Sequence, residues 1–545
     1  MPETIGKELT WVDFSDFTPG IISQSNYAYT FNDSPVPAKQ TGAAQVAGTF
    51  GCIALPNGGL GPLPGIAKTV PTGRSLPAGT ATAYINGAFV YGPIGTSDEI
   101  VYGLEYADTS NNRYFHLVSY MNESSTTTDI SAIGPSASSQ NLGIFPITGG
   151  LTRVNPTTPT DPGQPCLALA YTFFDNAGPT NFNWLYPSPA SAGAVSLYTF
   201  SPSYAGNCLT HQNRVVILTL TQYPWIGTIG GQNTFIESNE SFNYTDPPNS
   251  NDMGAQGAVF VQEHPFGAGA WGSISAGELF LVKNSGGAYV ISGDLNFPTV
   301  TYLGGVTPTY DLLQYAAQTT AGFVYASQGN GVWLWNGSSQ SQKISENLND
   351  DFFDINSASN PIQFSAAEWG SWICMTNGWV MDTSTGGWWR LTNPGFPPMY
   401  YGIGCFGTSM WAVAAYVPNA AAPALAQYSF ATPETTYSWM SYPIPASRDQ
   451  NIACERLAVR AQGLGTVTVT LTGINASTSV SSQTFTFDSN SQPQIINSSV
   501  GGGGGSFLAQ DVTVTIVSTA ASTEPAPIVY SVSVGYVPSS PASPG

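Results

Sequence analysis

The feature that most constrains this chain is a phrase written three times between Leu279 and Leu391: a short apolar strand, a turn built on Asn or Gly, and a short return strand rich in aromatics. The first copy runs Leu279-Phe280-Leu281-Val282-Lys283, turns through Asn284-Ser285-Gly286-Gly287 and returns as Ala288-Tyr289-Val290-Ile291. The second reads Phe323-Val324-Tyr325-Ala326, Gln328-Gly329-Asn330-Gly331, Val332-Trp333-Leu334-Trp335. The third reads Trp372-Ile373-Cys374-Met375, Asn377-Gly378, Trp379-Val380-Met381. The turn glycines Gly287, Gly331 and Gly378 recur about every 44 to 47 residues, within the ~40–50-residue period of propeller blades. A hairpin unit of this size cannot bury both of its faces alone, so successive units must stack. The expected fold is all-β: a β-propeller with an extended N-terminal arm and a C-terminal antiparallel β-sandwich.

Charged residues make up only 8% of the 545, hydrophobic residues make up 42%, and there are 59 Gly and 41 Pro. Disordered chains pair low hydrophobicity with high charge, so this composition belongs to a folded protein with many turns. The formal net charge is −20, with only 13 Lys and Arg. That leaves too few cations for a broad phosphate-binding face or for an anionic membrane surface. An acidic wall suits a different relation to DNA, in which the duplex passes without sticking. The N-terminus lacks an apolar stretch of signal-peptide length, and no run of ~18 apolar residues is present to span a membrane. The expectation is a particle component made in the cytoplasm.

Residues 1–75 read as an extended arm. Trp11, Phe14, Phe17 and Ile21 are its apolar anchors, and Pro19-Gly20, Pro62 and Pro64-Gly65 break any long element. The propeller is expected over 76–445, with long loops at 155–165 and 226–255. Within it, Ala83-Tyr84-Ile85 and Ala88-Phe89-Val90-Tyr91 flank Asn86-Gly87, the strongest short hairpin signal. The best helix candidate, residues 310–317, is short. From 446 to 537 the pattern alternates strictly, as in Thr466-Val467-Thr468-Val469-Thr470-Leu471 and Val512-Thr513-Val514-Thr515-Ile516. Such alternation marks antiparallel strands buried on one face, enough of them for a small sandwich. Residues 538–545 form a polar tail.

Eight of the 13 tryptophans fall between Trp333 and Trp411. Trp333, Trp335, Trp372, Trp379, Trp388 and Trp389 are assigned to packing between blades, because each can bury ~150–250 Å² in the wedge between sheets. The competing use is stacking on sugar rings. Asp382-Thr383-Ser384-Thr385-Gly386-Gly387-Trp388-Trp389 resembles the Asp-box turn of sialidase-type propellers, with the Ser and Asp exchanged, and that box is structural. Glu346, Asp350, Asp351 and Asp354 lack the turn glycine of a calcium loop. The six cysteines form no C-x-x-C pair, and His116, His211 and His264 have no partner at metal or triad spacing. Neither a catalytic residue, a cofactor nor a metal is expected.

Two regions resemble the tail nozzle (tubular tail) proteins of short-tailed bacteriophages. One is the arm phrase Phe17-Thr18-Pro19-Gly20-Ile21-Ile22-Ser23-Gln24-Ser25 with its closure Gly59-Leu60-Gly61-Pro62-Leu63-Pro64-Gly65, where Leu63 stands at the place the family commonly gives to a basic residue. The other is Gly329-Asn330-Gly331-Val332-Trp333-Leu334-Trp335-Asn336-Gly337 followed by Gln342-Lys343-Ile344-Ser345. The resemblance implies a non-enzymatic virion subunit that forms a ring with copies of itself. That ring would sit below the head-to-tail adaptor, contact other tail proteins, and enclose a channel through which DNA passes without specific binding. The arm and the sandwich are expected to make the ring contacts, with no membrane insertion. A carbohydrate-binding or glycan-hydrolysing propeller, and another minor tail or receptor-binding protein, remain as alternatives.

Overall fold

The structure is a computed structural model. It describes residues 9–23 and 43–71, the strands between residues 80 and 327, and residues 331–336, 341–349, 366–375, 378–391, 400–406, 409–414, 424–445, 451–474, 480–500, 507–509, 511–522 and 524–539. Among these residues the one helical element is a 3-10 turn, Val46–Gly48.

Seven antiparallel sheets of the described residues follow one another along the chain. The first comprises Thr80–Tyr91, Glu99–Asp108, Arg113–Met121 and Thr126–Asp129. In the next five, consecutive strands pair as a meander that opens with Thr148–Arg153, Ala205–His211, Ala258–His264, Ala316–Thr319 and Ala366–Trp369, and the first of these also carries Gly143–Ile144 against Pro165–Asp175. The seventh runs through Tyr400–Phe406, Ser409–Ala414 and Ala424–Pro433, then takes its fourth strand, Pro64–Pro71, from the other end of the chain. The opening strand of each sheet lies against that of the next, and the seventh against the first, so the ring closes. This is a seven-bladed β-propeller sealed by an N-terminal strand.

The repeated phrase is the central hairpin of a blade. Its copies are Glu278–Lys283 with Ala288–Ser292, Gly322–Ser327 with Gly331–Trp335, and Trp372–Met375 with Trp379–Asp382. Gly331 and Gly378 take φ of +78° and +80°, the left-handed conformation that glycine tolerates without a Cβ clash.

The second body is one ten-stranded antiparallel sheet folded into two layers. Its spine is Asn451–Ile474. The first half of the spine pairs with Ile528–Ser539 and the second half with Asp511–Ala520. Val480–Ser499 follows the opposite side of the spine along most of its length. The changeover falls at Gly463 and Gly465, with φ of +139° and +152°. A Cβ on Gly465 would lie 2.2 Å from the Thr519 carbonyl oxygen, so the bend needs glycine there. Alternation fills the space between layers: Val467, Val469, Leu471, Val514 and Ile516 are fully buried. The intervening hydroxyls meet across the outer face, Thr468 with Thr484 and Thr470 with Ser482, each at 3.1 Å.

Several expectations change. Asn86-Gly87 does not turn the chain. Thr80–Tyr91 is one strand, and its register slips between Ile85 and Ala88, so the pair forms a bulge, which also favours glycine. Of the helix candidate, Ala316 and Ala317 open the strand Ala316–Thr319, and residues 310–315 lie outside the described residues. The described parts of the arm drawn as 1–75 are built into both bodies. Thr10–Phe14, Cys52–Ala54 and Leu60–Pro62 belong to the ten-stranded sheet, and Pro64–Pro71 belongs to the propeller. The boundary drawn after residue 445 moves back to the residues between Pro433 and Thr436, because Thr436–Met440 pairs with Asp511–Ala520.

Candidate functional site at the arm clasp

The arm crosses from the ten-stranded sheet to the fifth and sixth blades through a few residues. Phe14 and Phe17 place their rings edge-on against Trp439, with centroids 5.5 and 5.3 Å away. Asp16 accepts hydrogen bonds from the Thr18 amide and hydroxyl, which shapes the turn that follows. Gly20, at φ +66°, then pairs in parallel with Trp388, and the Ile21 amide donates to the Trp388 carbonyl at 2.7 Å. A Cβ on Gly20 would stand 2.6 Å from the Trp388 nitrogen. The Ser23 amide donates to the Asn347 carbonyl at 2.9 Å, and the Ser23 hydroxyl accepts from the Asn349 amide. The Tyr442 hydroxyl donates to the Ile22 carbonyl, and burial pushes that phenol above its ordinary range.

The blade side of the clasp is built by the Gly-Val-Trp phrase. Ser345 is fully buried and its hydroxyl oxygen accepts from the Val332 amide at 2.9 Å. The Ile344 amide donates to the Val332 carbonyl, and the Ile344 carbonyl accepts the Trp388 indole N–H at 3.0 Å. Trp388 therefore ties the sixth blade to the fifth with its side chain and to the arm with its backbone. The closure phrase completes the clasp. Leu60 offers its carbonyl to the buried Tyr437 hydroxyl at 2.9 Å, and Leu63 bonds to both Gly51 and Glu434 through the backbone.

The expected packing tryptophans divide into two groups. Trp335, Trp379, Trp388 and Trp389 are buried, while Trp333 and Trp372 are half-buried. Trp379 meets Trp388 at 6.4 Å and carries the Arg390 guanidinium 5.2 Å over its ring. Trp372 joins Trp369 and Phe430, and Phe430 is 48% exposed. Trp369 belongs to the tryptophan cluster counted in the sequence, whereas sequence reasoning did not single out Phe430 or Trp439. Each belongs to a contact between distant strands, and no local pattern announces such a contact.

The four arm anchors also divide. Phe14, Phe17 and Ile21 are buried within the protomer, so their side chains are not offered to another subunit, whereas Trp11 is 43% exposed. The Asp-box-like turn is structural in detail. Asp382 is buried and its carboxylate accepts from the Ser384 amide and hydroxyl at 2.9 and 2.7 Å, and the Gly386 amide closes on the Asp382 carbonyl at 2.8 Å. Of the acidic run, Glu346 is exposed and the other three lie outside the described residues. Among the described residues no cluster of three or more His, Cys, Asp or Glu could hold a metal ion. No helix among them is long and apolar enough to cross a membrane. Cys374 and Cys454 are buried thiols, each pushed up to about 12 by desolvation.

No protein-family model and no curated protein matches the chain. Among solved structures it is similar to the WD40 propeller domain of Doa1, at 8% identity and TM-score 0.36, over 67% of this chain and 96% of that one. It is similar to BamB from Moraxella catarrhalis at 11% identity and TM-score 0.30, over 64% of this chain and 100% of that one. It is also similar to a fructofuranosidase from Schwanniomyces occidentalis at 10% identity and TM-score 0.29, over 86% and 98%.

Proposed function

We propose that the chain is a structural subunit of the tail nozzle of a short-tailed bacteriophage, assembled in the host cytoplasm as a ring below the head-to-tail adaptor. The observation that carries this reading is that Trp388 bridges the two nozzle-like regions, some three hundred residues apart in sequence: its carbonyl accepts the Ile21 amide and its indole N–H donates to the Ile344 carbonyl. The arm phrase around Gly20 and Ser23 docks on Trp388, Asn347 and Asn349, next to the Gly-Val-Trp and Lys-Ile-Ser phrases of the fifth blade. Two unrelated chance matches have no reason to converge on one contact. The role is mechanical and involves no turnover. A chain of net charge −20 with only 13 Lys and Arg would repel the DNA backbone and leave exiting DNA few places to stick. An electron-microscopic map of the parent particle tests the reading. Density for this fold arranged around the portal–tail axis is the expected result, and density only in peripheral fibres would refute it.

A glycan-binding reading is favoured by one feature, the partly exposed Phe430 against Trp372 and Trp369. It predicts saccharide binding that Phe430→Ala abolishes, measured by glycan array and calorimetry.

A further inference from the structure

Among the described residues, one layer of the folded sheet has two edges that pair on one side only. Across this layer the strands run Thr10–Phe14, Ile528–Ser539, the first half of Asn451–Ile474, and the second half of Val480–Ser499. Among the described residues, Thr10–Phe14 pairs only with Ile528–Ser539, and Val480–Ser499 pairs only with Asn451–Ile474. Unpaired edges are templates for another strand, and proteins normally blunt them with charge, with proline or by covering them. Here each edge carries one of the most exposed large apolar side chains of the described residues: Trp11 at 43% and Ile495 at 65%.

The register places these side chains on one outward face. Trp11 sits opposite Gly535, which sits opposite Arg456. Asp13 sits opposite Ser533, and Arg460 lies between Ser531 and Ile495. Asp13 at one edge is thus matched by exposed Arg456 and Arg460, one strand in from the other edge. Two of only 13 cationic residues in a chain of net charge −20 stand there. Strand direction agrees as well. Each strand in the layer is antiparallel to its neighbour, so in an in-line copy the Thr10–Phe14 strand would meet Val480–Ser499 antiparallel.

We infer that the occupant of the Val480–Ser499 edge is the Thr10–Phe14 strand of a second copy of this chain, which continues the sheet from protomer to protomer. Trp11 then covers apolar surface around Ile495, and Asp13 faces Arg456 and Arg460 across the junction. The contact is head-to-tail, the class that closes into a ring when the rotation permits. The inference deepens the ring reading and rests on it for closure alone.

Paired cysteines test it in the full chain. Trp11→Cys with Ile495→Cys, oxidised at about 100 µM protein, a concentration at which a micromolar contact is saturated, is expected to give a ladder of covalent oligomers beyond the dimer. Each single variant and the parent, with its six native cysteines, are expected to give none. Because a tryptophan is lost in that variant, Ile495→Lys supplies a second readout at a position that is 65% exposed. It is expected to weaken self-association at least about tenfold by sedimentation, by placing a charge in the junction without a partner. Asp13→Arg is expected to weaken it likewise, with recovery on adding Arg456→Asp and Arg460→Asp. Dimers from Ile495→Cys alone would mean that the edge pairs with itself, and a parent that stays monomeric, or an oligomer indifferent to Ile495→Lys, would mean that another protein or none sits there. Each of these results overturns the inference. If they occur while the particle map places the chain on the tail axis, the inference fails and the nozzle reading stands. A ladder from a chain that the map places elsewhere in the particle has the opposite meaning: the strand exchange stands and the nozzle reading fails.

Discussion

Gly20 sits in the left-handed region with a neighbouring backbone where its Cβ would be, so both conformation and space demand glycine. Gly20→Ala is expected to cost at least about 2 kcal/mol, from left-handed strain plus the forced separation from Trp388, and to open residues 15–23 to limited proteolysis. Glu434 offers a test with a defined sign. Burial raises its carboxyl above the ordinary carboxylate value, so the folded state holds the proton more tightly than the unfolded one. The group therefore favours folding at acid pH. That contribution is lost as pH rises from the unfolded value of ~4.3 through the raised folded one. Glu434→Gln is expected to melt above the parent at pH 7, with the gap closing as pH falls below the carboxylate range, in thermal scans across pH. At this scale the sequence spoke clearly only where chemistry is local. Gly331 and Gly378 announce their turns, while nothing near Gly20 names Trp388 as its neighbour, because that demand arises from a strand hundreds of residues away.

The strand Thr436–Met440 joins the two bodies directly after the last propeller strand, and the Tyr437 hydroxyl is its buried anchor, reaching the carbonyls of Leu60 and Pro527. Tyr437→Phe keeps the ring and removes the one proton shared between the two carbonyls, leaving Leu60 without that donor while Pro527 keeps the Ser518 hydroxyl, so a loss of about 1–2 kcal/mol is expected in denaturant titration. Elements with their own periodicity were legible: the blade hairpins from their recurring turns, and Val512-Thr513-Val514-Thr515-Ile516 from its alternation. Asn86-Gly87 misled because a bulge and a hairpin ask the same freedom of the backbone, and only pairing with Glu99–Asp108 distinguishes them. The arm strands were hidden for another reason. Cys52–Ala54 and Leu60–Pro62 are three residues each, too short for a period, and are strands because the sheet beside them is already formed.

The whole molecule is tied by a chain that enters one body, touches blades of the other, and returns. Cys374 lies in the sixth blade and Cys454 in the spine of the folded sheet, and both are buried. Both are expected to resist thiol reagents in the native protein and to become reactive in a single denaturant transition, as mapped by mass spectrometry. In Gly20→Ala the two transitions are expected to separate. The ring and the folded sheet could be foreseen from repeats and alternation. Their lacing could not, since it depends on which distant edges are left to fill.

That lacing also sets a timetable. Thr10–Phe14 leaves the ribosome about five hundred residues ahead of its partner Ile528–Ser539. Pro64–Pro71 likewise waits for Ala424–Pro433 before the seventh blade exists. At ~5–20 residues per second, that separation corresponds to roughly half a minute to two minutes. For nearly all of that interval the strands that finish both bodies have nothing native to pair with. The newborn chain therefore carries Thr10–Phe14 and Pro64–Pro71 as unprotected β-segments, and its yield in a cell is expected to depend on whatever shields them until Ile528–Ser539 and Ala424–Pro433 arrive.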